Sequence, residues 1–130
     1  MNGSRFLLDT NIIIALFGED PNIHDRMANA HEVFIPSIAI GELYLGAYKS
    51  QKIEENIARI DEFVSNNTVL ACNAATAKSY GDIKNRLKEK GQPLPENDIW
   101  IAAIAQQYEL TLVTRDTHFR IIEIFKIESW

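Results

Sequence analysis

Asn97-Asp98-Ile99-Trp100-Ile101-Ala102-Ala103-Ile104-Ala105, continuing to Tyr108 and followed shortly by Leu112-Val113-Thr114-Arg115-Asp116, is the stretch that decides the fold. The apolar residues of its first part surround a helix instead of striping one side, which marks a central helix covered by protein all round. The second part is a run of strand length ending in an acid. Outward from it, further short runs rich in Phe, Leu, Ile and Val occur at Arg5 to Leu8, Val33 to Ile35, Thr68 to Leu70 and near Ile121 to Ile127. Between them lie helical spacings with start signals: Asp20 before Pro21, Ser37 after Pro36, Ser50 before the run to Asn66, Asn73 before the run to Lys90, and Asn97 before the run to Tyr108. In the Ser50 segment Ile53, Ile57, Ile60 and Val64 repeat at three and four while Glu54, Glu55, Arg59 and Glu62 fill the other side. Gly91 stands where a helix C-terminus wants a left-handed residue. Strands alternating with crossover helices give a parallel sheet covered on both faces, so the fold class is α/β.

Composition bounds the rest. The 130 residues suit one domain, 1–130, and 46% apolar with 24% charged residues excludes disorder and collagen-like structure. No stretch approaches the roughly 20 apolar residues of a membrane span, and the run Phe6 to Leu8 is broken by Asp9 and Asn11 before it could serve as a signal-peptide core. The expectation is a cytoplasmic chain beginning at Met1, with no membrane contact. A single cysteine, Cys72, permits no internal disulfide and reads as a small buried residue, not a nucleophile. The net charge of −5 excludes a protein that coats nucleic acid by bulk charge.

In a parallel sheet, sites form beyond the carboxyl ends of strands. Asp9 ends the first strand in Leu7-Leu8-Asp9-Thr10-Asn11, and Asp116 follows Leu112-Val113-Thr114-Arg115. Taken alone, Asp9 reads first as the cap of the helix through Ile12 to Phe17 and Asp116 as an Asx-type turn. Glu42 falls among Ile38, Leu43, Leu45 and Gly46 on a helix with almost no other charge, where a carboxylate needs a basic partner or a metal. Asp98 opens the central helix, where the helix dipole also favours an acid. If the four converge, repulsion raises some of their pKa values unless a cation fills the gap, and oxygen-only ligands favour Mg²⁺ or Mn²⁺ over zinc. His24, His31 and His118 lack metal-ligand spacing, and neither glycine-rich phosphate-loop pattern occurs.

The ordered set of Asp9-Thr10-Asn11, Glu42, Asp98 with Ile101-Ala102-Ala103, and Thr114-Arg115-Asp116 resembles the PIN-domain ribonucleases, and among them the VapC toxins of toxin–antitoxin pairs. The resemblance runs from Leu7 to about Phe119; where some members are more acidic just after the last Asp, this sequence has His118. It implies a three-layer α/β/α fold with a central parallel sheet of about four to five strands. The implied activity is a Mg²⁺- or Mn²⁺-dependent endoribonuclease that cuts tRNA or ribosomal RNA until a VapB-like antitoxin blocks it. A homodimer is implied, as is contact with DNA only through the antitoxin. On this reading Asp9, Asp98 and Asp116 hold metal, and Glu42 orients the attacking water or a second ion. Asn11 and Thr114 support these carboxylates from one step behind.

Lys78 to Lys90 carries +3 against −8 for the remainder, so Lys84 and Arg86, with Arg115 beside the last acid, are candidates for RNA-backbone contact or for a solvated face. Ile40, Tyr44 and Tyr48 are candidates for core or for a partner surface. The alternatives left open are a nuclease of the same fold acting on DNA or flaps, and an RNA-binding module that has lost catalysis.

Overall fold

The computed structural model describes residues 5–130, and the expected start at Met1 lies outside them. Five strands, β1 (Arg5–Leu8), β2 (Glu32–Pro36), β3 (Thr68–Leu70), β4 (Thr111–Val113) and β5 (Ile127–Glu128), form one sheet in the order β3-β2-β1-β4-β5, with every pairing parallel. The central strands β1 and β4 are buried almost throughout, while the edge strands β3 and β5 are only partly covered.

Alternation along β1 sorts the core. Phe6 and Leu8 point to one face and pack with Ile12, Ile13, Ile35, Ile40 and Phe63; Leu7 points to the other, onto Ile101, Ile104, Leu112 and Phe119. The first face is covered by α1 (Thr10–Phe17), α2 (Pro21–Asn29), α3 (Ser37–Tyr48) and α4 (Ile53–Ser65), and the second by α5 (Ala74–Lys90) and α6 (Glu96–Tyr108). The expected three layers are therefore present. In α6 the run Ile101 to Ala105 is fully buried, as an all-round apolar helix requires. Removing one such side chain, for instance Ile104→Ala, would cost about 2–5 kcal/mol.

The local signals hold in part. Asp20 caps α2, its carboxylate accepting from Asn22 N at 3.0 Å and Ile23 N at 3.4 Å. Asn73 and Thr76 form a reciprocal capping box on α5, and Gly91 closes it at φ +65°, with Gln92 N donating to Leu87 O at 3.0 Å. Ser50 is not the cap of α4: its hydroxyl donates to Ala47 O at 2.6 Å and the helix starts at Ile53. Asn97 and Ser37 lie inside first turns, behind Pro95 and Pro36. The last apolar run is not a strand from Ile121: a 3-10 turn, Thr117–Ile121, precedes it, and Glu123 at φ +62° breaks any extended run before Ile127. Cys72 is exposed, not buried, because it sits in the loop between β3 and α5.

Candidate active site

The strand order reverses at β1, whose two neighbours are β2 and β4. In an open parallel sheet the crevice beyond the carboxyl ends of such strands is where ligands bind. Asp9 follows β1 directly and Asp116 follows β4 after Thr114 and Arg115, so the reversal sets both acids at one end of adjacent strands. Glu42 comes from the second turn of α3, which leaves β2 at the same end of the sheet. Asp98 comes from the first turn of α6.

Asp9 is the most enclosed of the four, 5% exposed. An unpartnered buried carboxylate is costly, and three donors offset the cost. Thr114 Oγ1 donates to Oδ2 at 2.8 Å, Asn11 Nδ2 to the same oxygen at 3.2 Å, and Thr10 N to Oδ1 at 2.8 Å. Asp9 thus also caps α1, so the cap and the site are one arrangement. Burial nevertheless raises its pKa above the usual carboxylate value, with the charges of Glu42 and Asp116 adding to the rise and Thr114 and Thr10 opposing it. Asp98 is pushed up to about 6, first by burial and then by the charges of Asp9, Asp116 and Glu42, with His118 pulling the other way.

Thr114 is 2% exposed and joins two acids: while its hydroxyl donates to Asp9, its oxygen accepts from Asp116 N at 3.0 Å. Asn11 reaches Thr114 Oγ1 at 3.4 Å and accepts from Arg115 N at 3.2 Å. Asn11 and Thr114 thus both reach the Asp9 carboxylate. Asp116 makes the Asx turn, its Oδ1 accepting from His118 N at 2.9 Å, with the His118 ring 3.0 Å from the same oxygen. Of the two partners expected for Glu42, no basic side chain is within 4.0 Å among the described residues; Thr10 Oγ1 donates to it at 2.7 Å. It is half-buried, since Gly41, Leu45 and Gly46 beside it are exposed, so the helix is less enclosed there than its apolar sequence suggested. Thr10 is the site residue the sequence reading passed over; its place between Asp9 and Asn11 was the available signal.

The donor set is oxygen-only, and no lysine or arginine lies within 4.0 Å of Asp9, Glu42, Asp98 or Asp116 among the described residues. The charge the cluster lacks is a positive one, and a hard divalent ion such as Mg²⁺ or Mn²⁺ fits both the donors and the charge. The carboxylates stand apart: among the described residues no three acid, histidine or cysteine side chains close on one point at ligating distance.

The basic candidates lie elsewhere and are paired. Lys84 is 3.0 Å from Glu96 and Arg86 is 3.0 Å from Asp82. Arg115 is 2.9 Å from Asp20 and donates through Nε to Trp130 O at 3.1 Å. The partner-surface candidates divide: Ile40 is core, Tyr44 is half-buried with its hydroxyl on Asp61, and Tyr48 is 63% exposed, beside Leu45 at 56%.

A PIN domain model matches residues 6–124 of this chain. Ribonuclease VapC2 of Haemophilus influenzae is 38% identical over 97% of the chain and 98% of its own length. The tRNA(fMet)-specific endonuclease VapC of Shigella flexneri is 36% identical over the same shares. A crystal structure of DNA-bound VapBC from Salmonella typhimurium superposes with a TM-score of 0.90 at 34% identity, covering 97% of this chain and 98% of that one. The chain belongs to the PIN-domain family and, within it, to the VapC ribonucleases. No helix among the described residues is long and apolar enough to cross a membrane.

Proposed function

We propose that this chain is the toxin of a toxin–antitoxin pair, a cytoplasmic endoribonuclease that hydrolyses phosphodiester bonds with Mg²⁺ or Mn²⁺ at the Asp9, Glu42, Asp98 and Asp116 cluster. The observation that carries it is the placement of four acids beyond the carboxyl end of the sheet, at its β1–β4 reversal, with no lysine or arginine within 4.0 Å of them among the described residues and Asp98 pushed up to about 6. A divalent ion there neutralises charge on the phosphodiester and makes water a competent nucleophile at neutral pH.

The chain's own residues do the positioning. Asp9, locked by Thr114, Asn11 and Thr10 N, and Asp98, in the first turn of α6, are the pair that would hold the ion. Asp116, on its Asx turn, would complete the ligand set directly or through water. Glu42, with one oxygen on Thr10, keeps its other oxygen to orient the attacking water and take its proton as the phosphorus–oxygen bond to the leaving nucleoside breaks.

The substrate reading rests on relatives named as ribonucleases, one of them specific for tRNA(fMet), and tRNA or ribosomal RNA is the proposed target. Backbone contact by α5, which packs along α6 and carries Lys84 and Arg86, would lead RNA toward Asp98. Structures of VapBC support a VapB-like antitoxin as partner, with DNA reached through that antitoxin. A groove of about 210 Å³ lined by Ile14, Phe17, Leu43 and Ala47, with Glu42 at its edge, suits a segment that would cover the site. We also propose a homodimer, for which exposed Leu45 and Tyr48 supply apolar surface.

Side-by-side digestion of RNA and DNA by the wild type, Asp9→Asn and Asp98→Asn tests this. RNA cleavage that needs Mg²⁺ or Mn²⁺ and disappears in both variants is expected. Preferential cleavage of DNA would replace the substrate, and cleavage retained by both variants would remove the site.

A further inference from the structure

Arg115 stands between two acids of different kinds. In sequence it precedes Asp116, yet its guanidinium is turned away from the carboxylate cluster. Nη2 lies 2.9 Å from Asp20 Oδ2 and Nε donates to the main-chain oxygen of Trp130 at 3.1 Å, while its own N–H is taken by Asn11 Oδ1 at 3.2 Å. Both anchors are firm. Asp20 is fixed as the cap of α2, with its other oxygen on Asn22 N and Ile23 N, and Arg115 holds its carboxyl below the usual value. Trp130 is 6% exposed, edge-on to Phe6 of β1 at 5.0 Å, and its indole N–H donates to Glu128 at 3.0 Å. The Thr114–Asp116 turn is thus pinned by its backbone to Asn11 and to Glu128 O, and by the Arg115 side chain to α2 and the Ile127–Trp130 segment.

We propose that Arg115 is a positioning residue: braced by Asp20 and Trp130, it fixes the turn that sets Asp116 against Asp9 and Asp98. A half-exposed ion pair adds little to global stability, yet a shift of about 1 Å in a reacting constellation can cost about a hundredfold in rate. The brace therefore acts on rate more than on folding. The inference rests on the proposed cleavage reaction at this cluster.

The test uses the full chain with Asp20→Asn, Arg115→Gln, Arg115→Lys and the double variant Asp20→Asn/Arg115→Gln. Asn caps a helix as well as Asp, so Asp20→Asn breaks the ion pair and spares α2. Expected are falls in kcat of about tenfold to a hundredfold for Asp20→Asn and Arg115→Gln. KM should be unchanged, Arg115→Lys should restore part of the rate, and the double variant should be no slower than the slower single. RNA affinity measured in an Asp98→Asn background should keep its value and its salt slope. Loss of affinity with a salt slope lower by about one in Arg115→Gln, and wild-type kinetics in Asp20→Asn, would make Arg115 an RNA contact and overturn the proposal. Wild-type kcat in both singles would overturn it too. Amide hydrogen exchange separates this inference from the reaction it rests on: faster exchange at Arg115 and Asp116 in Asp20→Asn is expected whether or not the wild type cuts RNA, and unchanged exchange there contradicts the brace.

Discussion

Two acid-rich regions of this molecule behave in opposite ways. On the outer surface of α5 and at the start of α6, Asp82 accepts from Gln106 and pairs with Arg86 at 3.0 Å, and Glu96 accepts from the Tyr80 hydroxyl and from Lys84 at 3.0 Å; both carboxyls are held below their ordinary values by those contacts. Asp9 at the end of β1 and Asp98 in the first turn of α6 are raised instead, by burial first, with the charges of Glu42 and Asp116 adding to both and that of Asp9 adding to Asp98. The side chains are the same kind. What differs is that each of these acids in the first region has a cation or a donor on it, while the second gathers four acids with no lysine or arginine within 4.0 Å among the described residues. A fold does not keep that arrangement for stability, because each carboxylate would be cheaper to bury with a partner.

The largest effect that should break the contrast comes from Asp98→Asn and Asp9→Asn. Cleavage should fall on the order of 10³-fold or more, since several kcal/mol of charge stabilisation go with a lost ligand and each 1.36 kcal/mol is tenfold. In metal-free buffer at pH 7.5 the melting temperature of Asp98→Asn should rise, because a repelled charge has gone; a fall would mean that Asp98 is structural. Asp82→Asn, in the paired region, should leave the cleavage rate within about twofold and lower the melting temperature by only a few degrees.

Thr114→Val comes next. It removes the hydroxyl shared by Asp9 and Asp116 while keeping the shape, and should cost about 1–3 kcal/mol in urea unfolding, with cleavage about tenfold slower, because two buried polar groups lose a partner. An unchanged urea midpoint would show that the shared hydroxyl is dispensable.

The pH dependence sharpens the same comparison. Asp98 titrates near 6 when folded and at an ordinary carboxylate value when unfolded, so between roughly pH 4 and 6 the folded state holds the extra proton. Its contribution to stability is therefore full below the unfolded value and lost as pH rises through about 6. Melting curves of metal-free protein should show that loss on top of the opposite trend from Asp82 and Glu96, and Asp98→Asn should remove it. The smallest effect should come from Lys84→Glu with Arg86→Glu: RNA affinity should drop and its salt slope flatten by about two. Unchanged affinity would mark α5 as a solvated face.

Much of this was legible in the chain itself. The all-round apolar character of Ile101 to Ala105 and the strand-length runs at Leu7 and Leu112 dictate a sheet covered on both faces, and acids immediately after two strands can only fall at its carboxyl end. Helix starts were less legible at Ser50 and Asn97, because α4 begins behind Lys52 and α6 behind Pro95, neither with a side-chain cap. The extended reading after Ile121 failed at Glu123, whose left-handed backbone no local pattern announces. Glu42 was located by its isolation on an apolar helix, yet its partner, Thr10, comes from 32 positions away, a separation that only the folded chain closes. The same is true of Arg115 and Asp20: as a charge count Arg115 was free to meet RNA, and the fold gives it an acid 95 positions away.

The most direct test is calorimetric titration of Mn²⁺ into the metal-free full chain at pH 6, in two buffers of different ionisation enthalpy, for the wild type and Asp98→Asn. The wild type should bind with release of protons, because the Asp98 carboxyl must ionise to accept the ion, and Asp98→Asn should bind at least about tenfold more weakly with that proton release lost. No Mn²⁺ binding by the wild type, or the same isotherm and proton release in Asp98→Asn, would contradict a metal-holding acid cleft.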